Sequence, residues 1–269
     1  MTVRRIFIWL ISFILLTGCE EQFDLPLANT DSDLLVVEAV LTNEYKQHLI
    51  KLTRPYTAQN LTPEPVKGAF AVILTDTDTI VATENPPGSG LYYTDSMQAV
   101  VEKIYVLVIQ YRSNFYFAYA IQPPGEPFEQ PLSTSLVAEG IYTIDFRESG
   151  SQSNYIKYSL DWQSVGGCAE PVDCKAKQIY YDLKNIDVNK QFKPDQERVD
   201  FPLGTEVIRK KYSVSDRYRE YLRGMLSETA WRGGVFDVFP ANAATNLSDG
   251  AVGFFAVSTV VMDTIIITE

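Results

Sequence analysis

The sequence predicts an all-β protein: an immunoglobulin-like sandwich, then a larger antiparallel sandwich or barrel carrying one amphipathic helix. Three observations predict it. Short segments rich in Val, Ile, Thr, Tyr and Phe recur between Gly, Pro, Asn and Asp turns, the mark of antiparallel sheet. A helical period occurs at one place only, residues 216–230. Hydrophobic residues make up 46% of the 269 residues, enough for a large buried core.

The chain opens with a leader. Arg4 and Arg5 form a basic region, Ile6 to Leu16 an apolar one, and Leu16-Thr17-Gly18-Cys19 closes it. The apolar run is too short to cross a hydrocarbon core, which takes about 20 helical residues. This is the layout of a bacterial lipoprotein signal. Residues 1–18 are expected to be cleaved, leaving Cys19 as the lipid-bearing residue and a protein held to a membrane by its anchor. Residues 19–33 then read as an acidic, turn-rich tether, and Glu20 and Glu21 directly after the cysteine resemble a surface-export signal.

Strand periodicity starts at Leu34. The segments 34–42, 47–53, 68–79, 80–84, 91–94, 102–111 and 115–122 supply the strands of an immunoglobulin-like sandwich spanning 34–122. Gln122-Pro123-Pro124-Gly125-Glu126-Pro127 is the expected boundary, stiff and unable to donate ladder bonds at its prolines. The second domain, 130–269, takes strands from 136–147, 154–162, 177–185, 205–214, 251–262 and 263–268. Within it, Tyr218, Tyr221, Leu222, Met225 and Leu226 form one apolar stripe of the 216–230 helix, with Ser215 as N-cap and Gly233-Gly234 as stop.

Charge and chemistry narrow the function. The chain carries a net charge of -11, which disfavours nucleic-acid binding through phosphates. After Cys19, two cysteines remain, and Cys168 and Cys174 in CAEPVDC are expected to form a disulfide. With one histidine, His48, in a strand-like run, neither a nucleophile–histidine pair nor a zinc site is available. Asp31-Ser32-Asp33 and Asp76-Thr77-Asp78 offer oxygens to Ca²⁺ but read equally well as turns between strands. No carboxylate pair is singled out for hydrolysis. No catalytic residue, cofactor or metal is expected. Tyr92, Tyr93, Phe115 and Tyr116 are the candidate binding aromatics, for a glycan or peptide; the alternation of Phe115, Phe117 and Tyr119 reads better as a core face.

Several segments resemble a family. Leu35 to Asn43 (LVVEAVLTN) is similar to the opening strand of a Bacteroidota lipoprotein family of unknown function, with Ala39 where its pattern has glycine. Gly68 to Val72 and Gly90-Leu91-Tyr92 resemble its next strand and its G-x-Y turn. Tyr218 to Leu226, Val235 to Pro240, Asn246 and Ala251 to Ser258 resemble its C-terminal elements. Gly253 in the last strand is expected to let sheet and helix approach. Such proteins are often encoded beside TonB-dependent outer-membrane receptors. The resemblance therefore implies a non-enzymatic accessory lipoprotein of the outer membrane, serving an uptake or secretion system; Glu20 and Glu21 favour the cell surface, with a periplasm-facing anchor as the alternative. A glycan- or peptide-binding lipoprotein is the alternative, and a carboxylate-dependent hydrolase the third reading.

Overall fold

Alternation decides the first strand. In β1 (Leu35–Thr42), Leu35, Val37, Ala39 and Leu41 are buried, while Glu38 is exposed between them. The computed structural model describes residues 33–56, 61–147, 150–184, 198–229 and 244–268. The leader, Cys19 and the tether up to Ser32 lie outside the described residues.

Seven strands follow the expected order: β1, β2 (Leu49–Thr53), β3 (Phe70–Leu74), β4 (Thr79–Glu84), β5 (Leu91–Thr94), β6 (Ile104–Tyr111) and β7 (Asn114–Ile121). The segment 68–79 splits into β3 and a turn, in which Thr75 Oγ1 accepts from the backbone N–H groups of Thr77 and Asp78. Asp76-Thr77-Asp78 is thus the tip of a hairpin, and Asp76 pairs with Lys103.

An eighth strand comes from far along the chain. β14 (Ala251–Ser258) lies parallel to β1 over its whole length, giving the order β14-β1-β2-β5-β4-β3-β6-β7. The division at 123–127 therefore does not segregate the strands, because a strand placed in the second domain completes the first sheet. Gly253 shows how the pairing is possible. It faces Val37 across the ladder with φ +94°, and a Cβ there would overlap the Val37 carbonyl oxygen. The close approach that this glycine permits is strand to strand, and not sheet to helix as the sequence suggested.

The free edges of this sheet meet. Asn246 Nδ2 donates to Phe255 O at 2.7 Å and to Tyr119 O at 3.2 Å, while its Oδ1 accepts from Phe255 N at 3.1 Å. One amide side chain therefore stitches β14 to β7, and Ser248 N bonds Phe117 O at 2.9 Å beside it. The sheet becomes nearly a barrel around Val37, Leu41, Ile50, Leu107, Ile109 and Phe255. Asn246→Ala should lower stability by about 2 kcal/mol, because it leaves backbone groups of both edges unpaired. Urea unfolding measures that loss, and Asn246→Asp, which cannot donate to either carbonyl, should be no better.

The second layer is a four-stranded sheet ordered β11-β10-β13-β15, from β10 (Asn154–Asp161), β11 (Lys175–Asp182), β13 (Glu206–Ser213) and β15 (Val260–Ile266). One face packs on a small sheet of β8 (Thr134–Ala138), β9 (Ile141–Ile144) and β12 (Asp200–Pro202), burying Ile144, Ile156, Tyr158, Leu160, Phe201 and Val207. The expected strand 136–147 is in fact the β8–β9 hairpin, turned at Gly140, which has φ +70°. Cys168 and Cys174 form a disulfide at the short 3-10 turn Pro171–Cys174, with Cα atoms 5.7 Å apart.

β14 and β15 are nearly one strand that changes sheets at Thr259. That bend is held by polar contacts. Thr259 Oγ1 donates to Pro123 O at 2.6 Å and accepts from Gln122 Nε2 at 2.9 Å, and Asn43 Oδ1 accepts from Val260 N at 2.7 Å. Lys211 Nζ reaches Pro127 O at 2.7 Å. The 122–127 segment is thus a packed seam.

The helix α1 (Asp216–Thr229) begins where expected, with Ser215 Oγ accepting from Tyr218 N at 3.4 Å. Its apolar stripe is buried, and Tyr218, Leu222 and Leu226 pack on Phe254 and Ala256 of β14 and on Tyr155 and Tyr212. Gly233-Gly234 lies outside the described residues.

Candidate functional site

The four candidate aromatics do not form one platform. Tyr92 is 1% exposed, and its hydroxyl accepts from Ala69 N at 2.8 Å and donates to Val66 O at 2.9 Å, tying β5 to the approach of β3. Tyr116 is 5% exposed and points into the barrel. Tyr93 is half-buried on β5, four strands from β7. Phe115 alone is open, at 56% exposure.

Around Phe115, however, the structure reverses an expectation. The alternation of Phe115, Phe117 and Tyr119 is real, but it faces outward, while Tyr116 and Ala118 face the core. Register extends this face across the sheet. Phe117 stands beside Val108, Val72 and Val81, Phe115 beside Gln110 and Phe70, and Ile121 beside Ile104. The outer surface of β4-β3-β6-β7 is therefore apolar, with Phe70, Ile104, Phe115, Phe117, Tyr119 and Ile121 exposed among the described residues. Contiguous apolar surface of this kind is uncommon on monomers and marks interaction sites. Arg217 at the start of α1 sits 4.9 Å from the Tyr119 ring centroid and borders the face.

A second feature lies where the outer surface of β1 and β2 meets the β10–β11 face of the second sheet. The cleft between them has a volume of about 650 Å³, the size of a small-molecule site. Register sets Tyr181, Tyr155 and Tyr212 side by side on three strands, with Ile179, Lys157 and Lys210 in the next row. Tyr155 stacks on Tyr212 at 4.7 Å, and Tyr218 and Tyr221 of α1 each lie 5.1 Å from Phe254. Burial pushes the hydroxyls of Tyr155, Tyr181, Tyr218 and Tyr221 up, and that of Tyr212 up to about 12, so all stay neutral in ordinary conditions. Lys157 Nζ lies 5.1 Å from the Tyr212 ring and 5.7 Å from the Tyr155 ring. Burial, with Lys46 nearby, holds that ammonium below the usual lysine range.

His48 borders this cleft but is 1% exposed, with Nε2 against Met97 O at 3.1 Å. Burial holds its ring below the usual histidine range. Among the described residues, no cluster of three His, Cys, Asp or Glu is placed to hold a metal.

Residues 20–264 match DUF4249, a domain of unknown function. The chain belongs to this family. No curated protein matches it. Two solved structures similar to it are the FN1–FN3 domains of chicken CNTN1 and a two-domain fibronectin type-III segment of chicken tenascin. The first is 9% identical, covering 66% of this chain and 59% of that one, with a TM-score of 0.28. The second is 12% identical, covering 66% and 89%, with a TM-score of 0.22. In this DUF4249 chain, the residues that resemble family motifs are fold determinants: Gly90 leaves no room for a Cβ against Leu52 O, Tyr92 bonds the β3 approach, and Asn246 and Gly253 set β14. Val235 to Pro240 lies outside the described residues. The tyrosine row and the apolar outer face were missed in the sequence because both are made by register between distant strands.

Proposed function

We propose that this protein is a non-enzymatic, lipid-anchored accessory protein of the bacterial outer membrane, which docks onto a membrane-embedded partner through the outer face of β4-β3-β6-β7. The partner is a TonB-dependent receptor of an uptake or secretion system. One observation carries the docking: six large apolar side chains stand exposed on one continuous sheet face. Aromatic residues of this kind dominate the energetic centre of protein interfaces. The leader ending at Cys19 and the acidic tether supply the address. The proposed attachment is the lipid on Cys19, and no helix of the described residues is long and apolar enough to cross a membrane. Anchoring both proteins in one membrane raises their effective concentration, and a face of modest intrinsic affinity then suffices.

Capture of a glycan or peptide by Tyr92 and Tyr93 has less support, since Tyr92 is buried and its hydroxyl already bonded. The test is affinity purification of the lipidated protein from detergent-solubilised outer membrane. Recovery of a TonB-dependent receptor near stoichiometry is expected, with about a hundredfold loss in Phe117→Glu, as for a central aromatic anchor. Phe117 is 52% exposed, so the variant should fold normally. Recovery of no receptor, or undiminished recovery with Phe117→Glu, overturns the reading.

A further inference from the structure

The second feature, the cleft between β1–β2 and β10–β11, asks for its own occupant. Its wall is apolar and aromatic: Ile179 is exposed, while Tyr181, Tyr221 and Met225 are half-buried beneath it. Its charges are mostly settled. Lys51 pairs with Glu38 at 2.9 Å, and Lys46 and Lys210 both bond Glu44. Lys157 is the exception. Its stem is exposed beside Ile179 and Lys210 while its ammonium lies over the Tyr212 and Tyr155 rings, and among the described residues it makes no ion pair. The groups facing it are Lys46, Lys177 and Lys210 on one side of the ledger and Glu44 on the other, and Glu44 is already shared by two lysines. In a chain of net charge -11, this pocket therefore carries local positive charge over an aromatic wall.

We infer that the cleft binds a small amphipathic anion, a carboxylate or phosphate joined to a flat apolar body, with the anionic group on Lys157 and the body against Ile179, Tyr181, Tyr221 and Met225. The chemistry matches in both halves. An ammonium held over ring faces in a partly desolvated cleft gains more from a charge-assisted hydrogen bond than one in open water. A flat body covers the apolar area that Ile179 and Tyr221 expose. The volume of about 650 Å³ admits such a ligand and is too small for a folded partner.

The site shares no lining residue with the docking face, so the two are separable by experiment. The full lipidated chain in detergent is titrated calorimetrically with indole-3-acetate and with its neutral amide. The acid is expected to bind at submillimolar concentration and the amide about tenfold more weakly, the worth of one charge-assisted hydrogen bond. Lys157→Gln should erase the difference between acid and amide, while Tyr221→Ala should weaken both. Phe117→Glu should change neither, whatever it does to receptor recovery. Far-ultraviolet circular dichroism verifies that Lys157→Gln retains the fold. Equal binding of acid and amide, unchanged acid binding in Lys157→Gln, or no binding of either at millimolar concentration overturns the inference.

Discussion

Gly253→Ala should destabilise this protein by about 3–5 kcal/mol and leave little folded chain at physiological temperature, since two independent penalties add at one atom. The first is backbone: φ is +94°, a conformation that alanine adopts only under strain. The second is steric: the new Cβ would overlap the Val37 carbonyl, a main-chain oxygen that cannot swing aside as a long side chain would. Relief requires β14 to move off β1, and that ladder runs from Leu35–Ala251 to Thr42–Ser258. Phe255 and Val257 would leave the barrel core with it, and Phe254 would leave the helix-side cluster. Gly140→Ala separates the two penalties. Gly140 also has positive φ, but nothing lies within 4 Å of the Cβ it would gain, so it should cost only about 1–2 kcal/mol. Urea unfolding of both variants gives the comparison. Equal losses would show that β14 yields without cost, and that the parallel ladder is not what holds the barrel shut.

That ladder also marks what was legible in the sequence. The strands of the first sheet announced themselves as short β-branched and aromatic runs between turn residues, and α1 by a 3.6-residue stripe with Ser215 at its start, because those signals depend on near neighbours alone. Thr259 did not. The expected division of this stretch falls between 262 and 263, but the strands part at Thr259, where Val257 to Val261 hold no Gly or Pro. The bend is set by Pro123 O and Gln122, more than 130 residues away. Alternation likewise tells which residues of β7 share a face, and not which face is inside. Phe115, Phe117 and Tyr119 carry more apolar area than Tyr116 and Ala118 alternating with them, so reading them as core was the natural choice. What reversed it is closure: Ala118 and Tyr116 face the barrel because β14 and Asn246 bring the two sheet edges together there. The tyrosine row was hidden for the same reason. Tyr155, Tyr181 and Tyr212 become neighbours only once β10 pairs with both β11 and β13.

Glu44 supplies the second large effect, a loss of stability in acid. It follows β1 and reaches across to the second sheet, accepting from Lys210 of β13 and from Lys46. Burial alone would raise its pKa, but the two ammonium groups outweigh that and hold the carboxyl at about 2, against an ordinary value near 4.5. The sign follows from linkage: a carboxylate with a depressed folded pKa stabilises fully above its unfolded pKa and stops contributing once pH falls through the folded one. The stabilisation is therefore complete above about pH 4.5 and gone near pH 2. Its size is about 2 kcal/mol, less than the full shift implies because the side chain is 26% exposed and partly screened. Glu44→Gln should show this deficit at pH 7, and the gap between wild type and variant should shrink steadily from pH 4.5 to pH 2 in parallel urea titrations. Taking the difference removes the other carboxylates, which titrate in both proteins. A gap independent of pH would mean that the glutamine fails for reasons of shape, and that charge does not tie β1 to the second sheet. High salt gives an independent reading, since a bridge between partly exposed groups should weaken in it while the Asn43–Val260 hydrogen bonds one residue earlier should not.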